Sequence, residues 1–411
     1  MSPSTRIRLS FMMFLQYFVW GTWYVTMFTY LSQTRGFTGG QIGWAYAAVN
    51  IGAIVAPFFV GMIADRFFAT EKILAVLHIL GGGFLYWAST ATTFPEFLSA
   101  LLCHTLCYMP TMALTNSLSF HHVSNPGKDF PFIRVLGTIG WIAAGWLIGY
   151  QAIWGKSIEP TDLPFKIGAA SSVAMGLFCL CLPHTPPKAK GLKVDVKTVL
   201  GLDALQLLKD RSFLIFIVGS LLICIPLAFY FSGANGFLNE IGVTNAASKM
   251  TFGQMSEIIF MLVMPFFFSR LGVKKMLLCG MLAWTARYVL FMFGNPGSGM
   301  WMLYGGIVLH GICYDFFFVT GQIYVDRQAN ISIRAAAQGF IAFITYGLGM
   351  MIGSLVQGKV AETYAINNTS HHWDKIWLIP AVMSGAVFLL FALFFKESDA
   401  AKGKSAIHEA M

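Results

Sequence analysis

The chain reads as an all-α polytopic membrane protein with twelve transmembrane helices in two six-helix halves. Three observations predict this: the composition, the spacing of the apolar runs, and a pattern that recurs half-way along. Of 411 residues, 56% are apolar and 11% charged, and mean hydropathy is +0.67. A water-facing domain carries about 25% charged residues. A cytosolic enzyme, a disordered chain and a disulfide-stapled secreted module are therefore excluded. The net charge of +9 could suit nucleic acid, but the cations sit in short loops between apolar runs. No basic stripe forms on one soluble domain, so a lipid bilayer is the expected partner and nucleic acid is not. The seven cysteines all fall inside apolar segments without metal-ligand spacing and read as small reduced hydrophobes.

A spanning helix needs about 20 mostly apolar residues. Such runs fall at 7–31, 40–64, 72–91, 95–118, 132–154, 165–183, 213–238, 250–270, 275–293, 299–325, 333–360 and 376–396, numbered here spans 1 to 12. Span 1 is too long for a signal segment and lacks a small-residue cleavage site, so it is expected to stay. It places Gln16, Trp20, Trp23, Tyr24 and Met27 at helical spacing. Span 2 leads into Gly61-Met-Ile-Ala-Asp65-Arg66. Span 4 carries His104, Tyr108, Thr111 and Thr115, with Pro110 as a kink, and span 5 carries Arg134, Thr138 and Trp141. Mostly short loops make neighbouring spans antiparallel. The exception is 184–212, rich in Pro and Lys and amphipathic from Val196 to Leu208, which reads as a linker on the membrane surface. Span 7 holds Pro226 and then Phe229-Tyr230-Phe231. Span 8 holds Gln254 and Glu257, span 9 Arg287, and span 10 His310, Tyr314 and Asp315. The expected division is 1–183 and 213–396 for the two bundles, 184–212 for the linker and 397–411 for a polar tail.

Placing the N-terminus inside puts nineteen Lys and Arg residues on the cytoplasmic side and six outside, so both termini are expected in the cytoplasm. The halves also repeat. Asp65-Arg66 after span 2 answers to Arg270 and Lys274-Lys275 after span 8. Arg134 before Gly137-Thr138 answers to Arg334 before Gln338-Gly339. Repeated six-helix halves are common in transporters, with the solute taken near the midplane.

An ionised side chain at mid-membrane costs about 2.5–3.5 kcal/mol on the insertion scale. Most of the 18 acids lie in loops or at helix ends; Glu257 and Asp315 lie deep, with Arg134 and Arg287. Glu257 reads either as a proton carrier, since burial and a movable cation tune its affinity for the proton, or as half of a permanent Glu–Arg pair. Gln254, three residues before it, extends the polar face and favours the first reading. Asp315 is a second candidate for the coupling proton, or is neutralised by Arg287, itself read as structural. The aromatic and hydrogen-bonding faces of spans 1, 4, 5, 7 and 10 suit a flat, polar-edged solute such as a nucleobase, although each ring alone is as readily explained by packing. His310 has no second His or Cys at ligand spacing, so no metal is expected, and no cofactor beyond the coupling proton.

Beyond these readings, the twelve spans, central linker and shortened Gly61-x-x-x-Asp65-Arg66 loop resemble the major facilitator superfamily. Over nearly its whole length the chain is similar to the bacterial nucleoside–proton symporters. The matching residues are Phe14-Leu-Gln16-x3-Trp20-Gly-x-Trp23, Tyr108-Met-Pro-Thr111, Asp129-Phe-Pro-x2-Arg134-x2-Gly-Thr138, Leu200-Gly-Leu-Asp203-Ala, Gln254-x-Ser-Glu257 and Asp315-Phe-Phe. The resemblance implies a monomer in the bacterial inner membrane that imports nucleosides by alternating access. Asp65 and Arg66 would serve as the conformational loop. Arg134, Thr138, Trp141, Gln254 and Glu257 would line the nucleoside site, with Gln16, Trp20, Phe231, His310 and Tyr314 around it and Glu257 or Asp315 carrying the proton. It also implies that spans 5 and 8 face each other. Two departures stand out: span 7 offers Ala228 and Phe231 where the family has amides, and span 10 has His310 and Tyr314 where the family has Tyr and Phe. These leave a sugar or other glycoside, or uncoupled facilitation, as alternatives. No nucleophile elbow, paired-histidine motif or phosphate-binding glycine loop points to an enzyme, and the short tail offers no receptor output domain.

Overall fold

The computed structural model describes residues 2–59, 68–123, 125–187, 202–330, 333–367 and 369–396. Asp65, Arg66, the first part of the expected amphipathic stretch and the tail from 397 lie outside them. Among the described residues, each expected span falls on helix. Span 1 is Pro3–Trp23, which breaks in a turn and resumes as Met27–Gln33. Spans 2 to 6 are Gly39–Phe59, Thr70–Thr90, Phe94–His122, Pro126–Gly149 and Leu163–Cys179. Leu202–Lys209 forms a 3-10 turn, and span 7 is Arg211–Glu240.

Spans 8 and 9, expected as separate helices, run as Ala246–Phe293 with a break at Gly272, whose φ of 67° and ψ of 178° are open to glycine and strained for other residues. Span 10 comprises Met300–Val308, His310–Tyr314, a π-helical stretch Asp315–Val319, and Thr320–Gln328. Span 11 likewise holds a π stretch, Phe343–Gly349, between Arg334–Ala342 and Met350–Thr363. Span 12 is Trp373–Phe394. Among the described residues, eight of these helices are long and apolar enough to cross a membrane. Large apolar side chains such as Leu262, Ile259, Leu389 and Leu393 stand exposed, as a lipid-facing surface requires.

The chain packs as two compact units. The first comprises 1–194, 232–251 and 367–370, and the second 195–231, 252–366 and 371–411. Residues 232–251, which hold the end of span 7 and the start of span 8, thus pack with the N-terminal unit. In that unit spans 1 and 5 meet along small residues. A Cβ at Gly140 would run into the Phe14 carbonyl, and one at Gly137 would reach the Tyr17 ring. Leu9, Met12, Met13, Leu74, Leu114, Leu118 and Met175 form the core beside this contact. In the second unit Met264, Met276 and Phe316 anchor a smaller core.

Candidate functional site

In the first unit, Arg134, Thr138 and Trp141 follow one another at four and three residues and so share a face of span 5. The Arg134 guanidinium lies 4.2 Å over the Tyr17 ring. Trp141 meets Trp20 edge-on at 5.4 Å, and Tyr24 lies 5.4 Å from Trp20, so spans 1 and 5 together form an aromatic corner. All three span 5 residues remain partly exposed, as a solute-facing surface needs.

Gln16 lies deeper than its place in the motif suggests. It is fully buried, and its amide is committed on both sides. Nε2 donates to Thr111 Oγ1 at 2.7 Å, Oε1 stands 3.0 Å from His78 Nε2, and Tyr108 donates its hydroxyl to the Gln16 carbonyl. His78 was missed in the sequence because a lone histidine on an apolar helix carries no pattern. It ties span 3 to span 1 and, through Ser172, to span 6. A satisfied buried network of this kind holds the aromatic corner in place.

The second unit holds the other candidates. Spans 8 and 10 close on each other at glycines: a Cβ on Gly253 would stand 3.1 Å from that of His310, and Gly311 donates its N–H to Ser256 Oγ at 3.0 Å. This approach sets His310 Nε2 4.0 Å from Glu257 Oε2, with the Glu257 side chain 20% exposed and that of His310 3%. His310 stacks on Tyr230 at 5.2 Å, meets Phe231 edge-on at 5.8 Å and lies 5.8 Å from Tyr314. Gln254 is partly exposed one turn before Glu257.

The proposed neutralisation of Asp315 by Arg287 is not seen. Asp315 is fully buried, and neither carboxylate oxygen has a hydrogen-bond partner among the described residues. Arg287 turns elsewhere, donating Nε–H to the Gly306 carbonyl at 3.0 Å and laying its guanidinium 4.1 Å over Tyr230. The ring face of Tyr230 attracts the cation, and the carbonyl fixes its orientation. An ionised Asp315 would stand uncompensated here.

Tyr346, another residue not singled out from the sequence, bonds the Tyr314 hydroxyl at 2.6 Å and stacks on Phe318 at 5.3 Å. The two π stretches, Asp315–Val319 and Phe343–Gly349, lie at these turns. A small recess in the same unit, lined by Ser220, Gln322, Gln338, Thr345 and Tyr346, includes none of the expected solute-binding residues. Among the described residues no three His, Cys, Asp or Glu side chains converge on a metal-sized space.

A model of the nucleoside H+ symporter family matches residues 3–400. The chain belongs to that family. It is 46% identical over 404 residues to the Escherichia coli K12 protein YegT, covering 96% of this chain and 95% of that one. It is 33% identical to the nucleoside permease NupG of the same strain, covering 95% and 96%. The xanthosine permease of that strain is 32% identical, with 95% of each chain covered. A crystal structure of NupG superposes with a TM-score of 0.88 over 96% of this chain and all of that one. This protein is thus a multi-pass membrane transporter of small molecules, not an enzyme, with the all-α polytopic fold expected from its composition.

Proposed function

We propose that this protein imports nucleosides together with protons across a bacterial inner membrane, with both termini cytoplasmic, as a monomer. The observation that carries the reading is Glu257, a part-exposed carboxylate within an apolar unit, set beside His310 and the rings of Tyr230, Phe231 and Tyr314. A carboxylate so placed can exchange a proton while the rings offer stacking surfaces to a base. In this reading Arg134, Thr138, Trp141, Gln254, Glu257, His310 and Tyr314 bind the solute, with Trp20 and Phe231 as further contacts. Gln16 acts at one remove by holding the span 1 aromatics. Glu257 takes the coupling proton, and Asp315 is the second acid able to hold one. The family match supports nucleosides over free sugars.

The test is uptake of labelled uridine and adenosine into proteoliposomes with and without an inward proton gradient, in competition with unlabelled nucleosides or free sugars. Gradient-stimulated uptake that nucleosides block and sugars do not is expected. Blocking by a sugar alone would transfer the assignment to a glycoside carrier.

A further inference from the structure

Glu159 sits in the loop between spans 5 and 6, yet it is 1% exposed. Its partners come from residues that lie in the second half of the sequence but pack within the first unit. Asn235 and Asn239 donate their amides to Oε2 at 2.7 and 2.8 Å, and the Ala247 backbone N–H, in the first turn of the span 8 helix, donates to Oε1 at 3.0 Å. Thr29 Oγ1 bonds Asn235 Oδ1 at 2.6 Å and draws span 1 into the cluster. Beside it Gln151 N–H bonds Asn245 Oδ1 and the Trp146 indole bonds Thr251 Oγ1, each at 3.0 Å. Gly149 brings span 5 against Ser248 and Ala247, and Gly145 brings it against the Thr251 methyl, too closely for any larger residue.

We propose that Glu159 is a gating residue of the transport cycle: the catch by which the span 5–6 loop holds the tips of spans 7 and 8 at one aqueous face. Alternating access moves spans 1–6 against spans 7–12, so residues 232–251 have to part from Glu159 once in every cycle. The fit is that of a reversible clasp. Its bonds are short and polar, and each group can be taken up by water when it opens. Three N–H donors, from Asn235, Asn239 and Ala247, converge on the one carboxyl group. This inference rests on the family's alternating transport, but its readout is thiol reactivity, which needs no solute and so fails independently of the nucleoside assignment.

The catch also responds to pH. Burial raises the Glu159 pKa above the ordinary carboxylate value, against the lowering effect of Asn239, Asn235 and the Ala247 N–H. A raised value in the closed state means that closure binds the proton; closure is favoured at low pH and weakens as pH rises through that value. The ionisable residues on the surrounding elements are Lys156 and Asp162 in the same loop, Arg35 after Met27–Gln33, Glu240 at the end of span 7 and Lys249 in span 8. Asp162 pairs with Lys166, Arg35 with the Tyr30 hydroxyl, and Lys249 reaches Thr244 Oγ1.

The experiment uses S248C, a position 6% exposed against Gly149, in the purified full chain with its seven native cysteines replaced by alanine. Maleimide labelling, divided at each pH by the rate for the same thiol in denatured protein to remove the thiolate fraction, is expected to slow as pH falls from about 7 to about 5. Adding E159A should accelerate this normalised labelling by about tenfold or more and remove the pH dependence that survives the normalisation. In a separate variant, a T29C/N235C disulfide should stop uptake, reduction should restore it, and oxidised wild type should be unaffected. Labelling unchanged by E159A, or full-rate uptake by the cross-linked protein, would overturn the proposal. So would failure of the pair to cross-link in a variant whose single-cysteine versions transport.

Discussion

At the scale of single residues, the second unit sets Glu257 among polar groups drawn from spans 10 and 11. Span 7 presents Ala228, fully buried, and Phe231 rather than amides. Polar groups are supplied instead by His310 beside Glu257 and by the Tyr314–Tyr346 hydroxyl pair. Tyr346 acts through Tyr314, fixing its hydroxyl from the span 11 side. Y346F should therefore raise KM about two- to tenfold while leaving kcat nearly unchanged, the range expected for one hydrogen bond. In a Y314F background Y346F should cost little further, because the two hydroxyls form one unit. Initial-rate uptake on the four members of this cycle measures both effects. Equal and additive losses would show that Tyr346 serves something other than Tyr314.

At the scale of elements, close helix contact is set by residues without side chains. Gly140 faces the Phe14 carbonyl with no room for a Cβ, so G140V should push span 5 off span 1. Overpacking of this kind costs about 1–3 kcal/mol. A lower melting temperature and loss of uptake are expected, whereas G83A, where nothing stands within 4 Å, should behave as wild type. The positions of the spans were legible in the sequence because hydrocarbon imposes length and apolarity on each helix. Breaks within spans were not: the turn after Trp23, the π stretches at Asp315 and Phe343 and the continuity past Gly272 depend on packing against neighbours. The site was legible in part. Arg134, Thr138 and Trp141 share a helix face as their spacing requires, and His310 stands by Glu257. The commitment of Gln16 to His78 was hidden, since partners 62 residues apart leave no local pattern. Glu159 was passed over because a loop acid is ordinarily solvated.

At the scale of the whole molecule, charge is kept scarce and is placed where it can act. Arg287 is held on Tyr230, Asp315 is buried without a partner among the described residues, and Glu257 keeps a fifth of its side chain exposed. Of the two deep acids, Glu257 is thus the part-exposed one, as the coupling role proposed for it requires. The most direct test of the account compares gradient-driven accumulation of labelled nucleoside with solute counterflow, which needs no net proton movement, for wild type and E257Q in proteoliposomes. The account predicts that wild type does both, while E257Q keeps counterflow and loses accumulation. Accumulation by E257Q at the wild-type level would contradict Glu257 as the coupling acid, and failure of folded wild type to move any nucleoside would contradict the transport assignment itself.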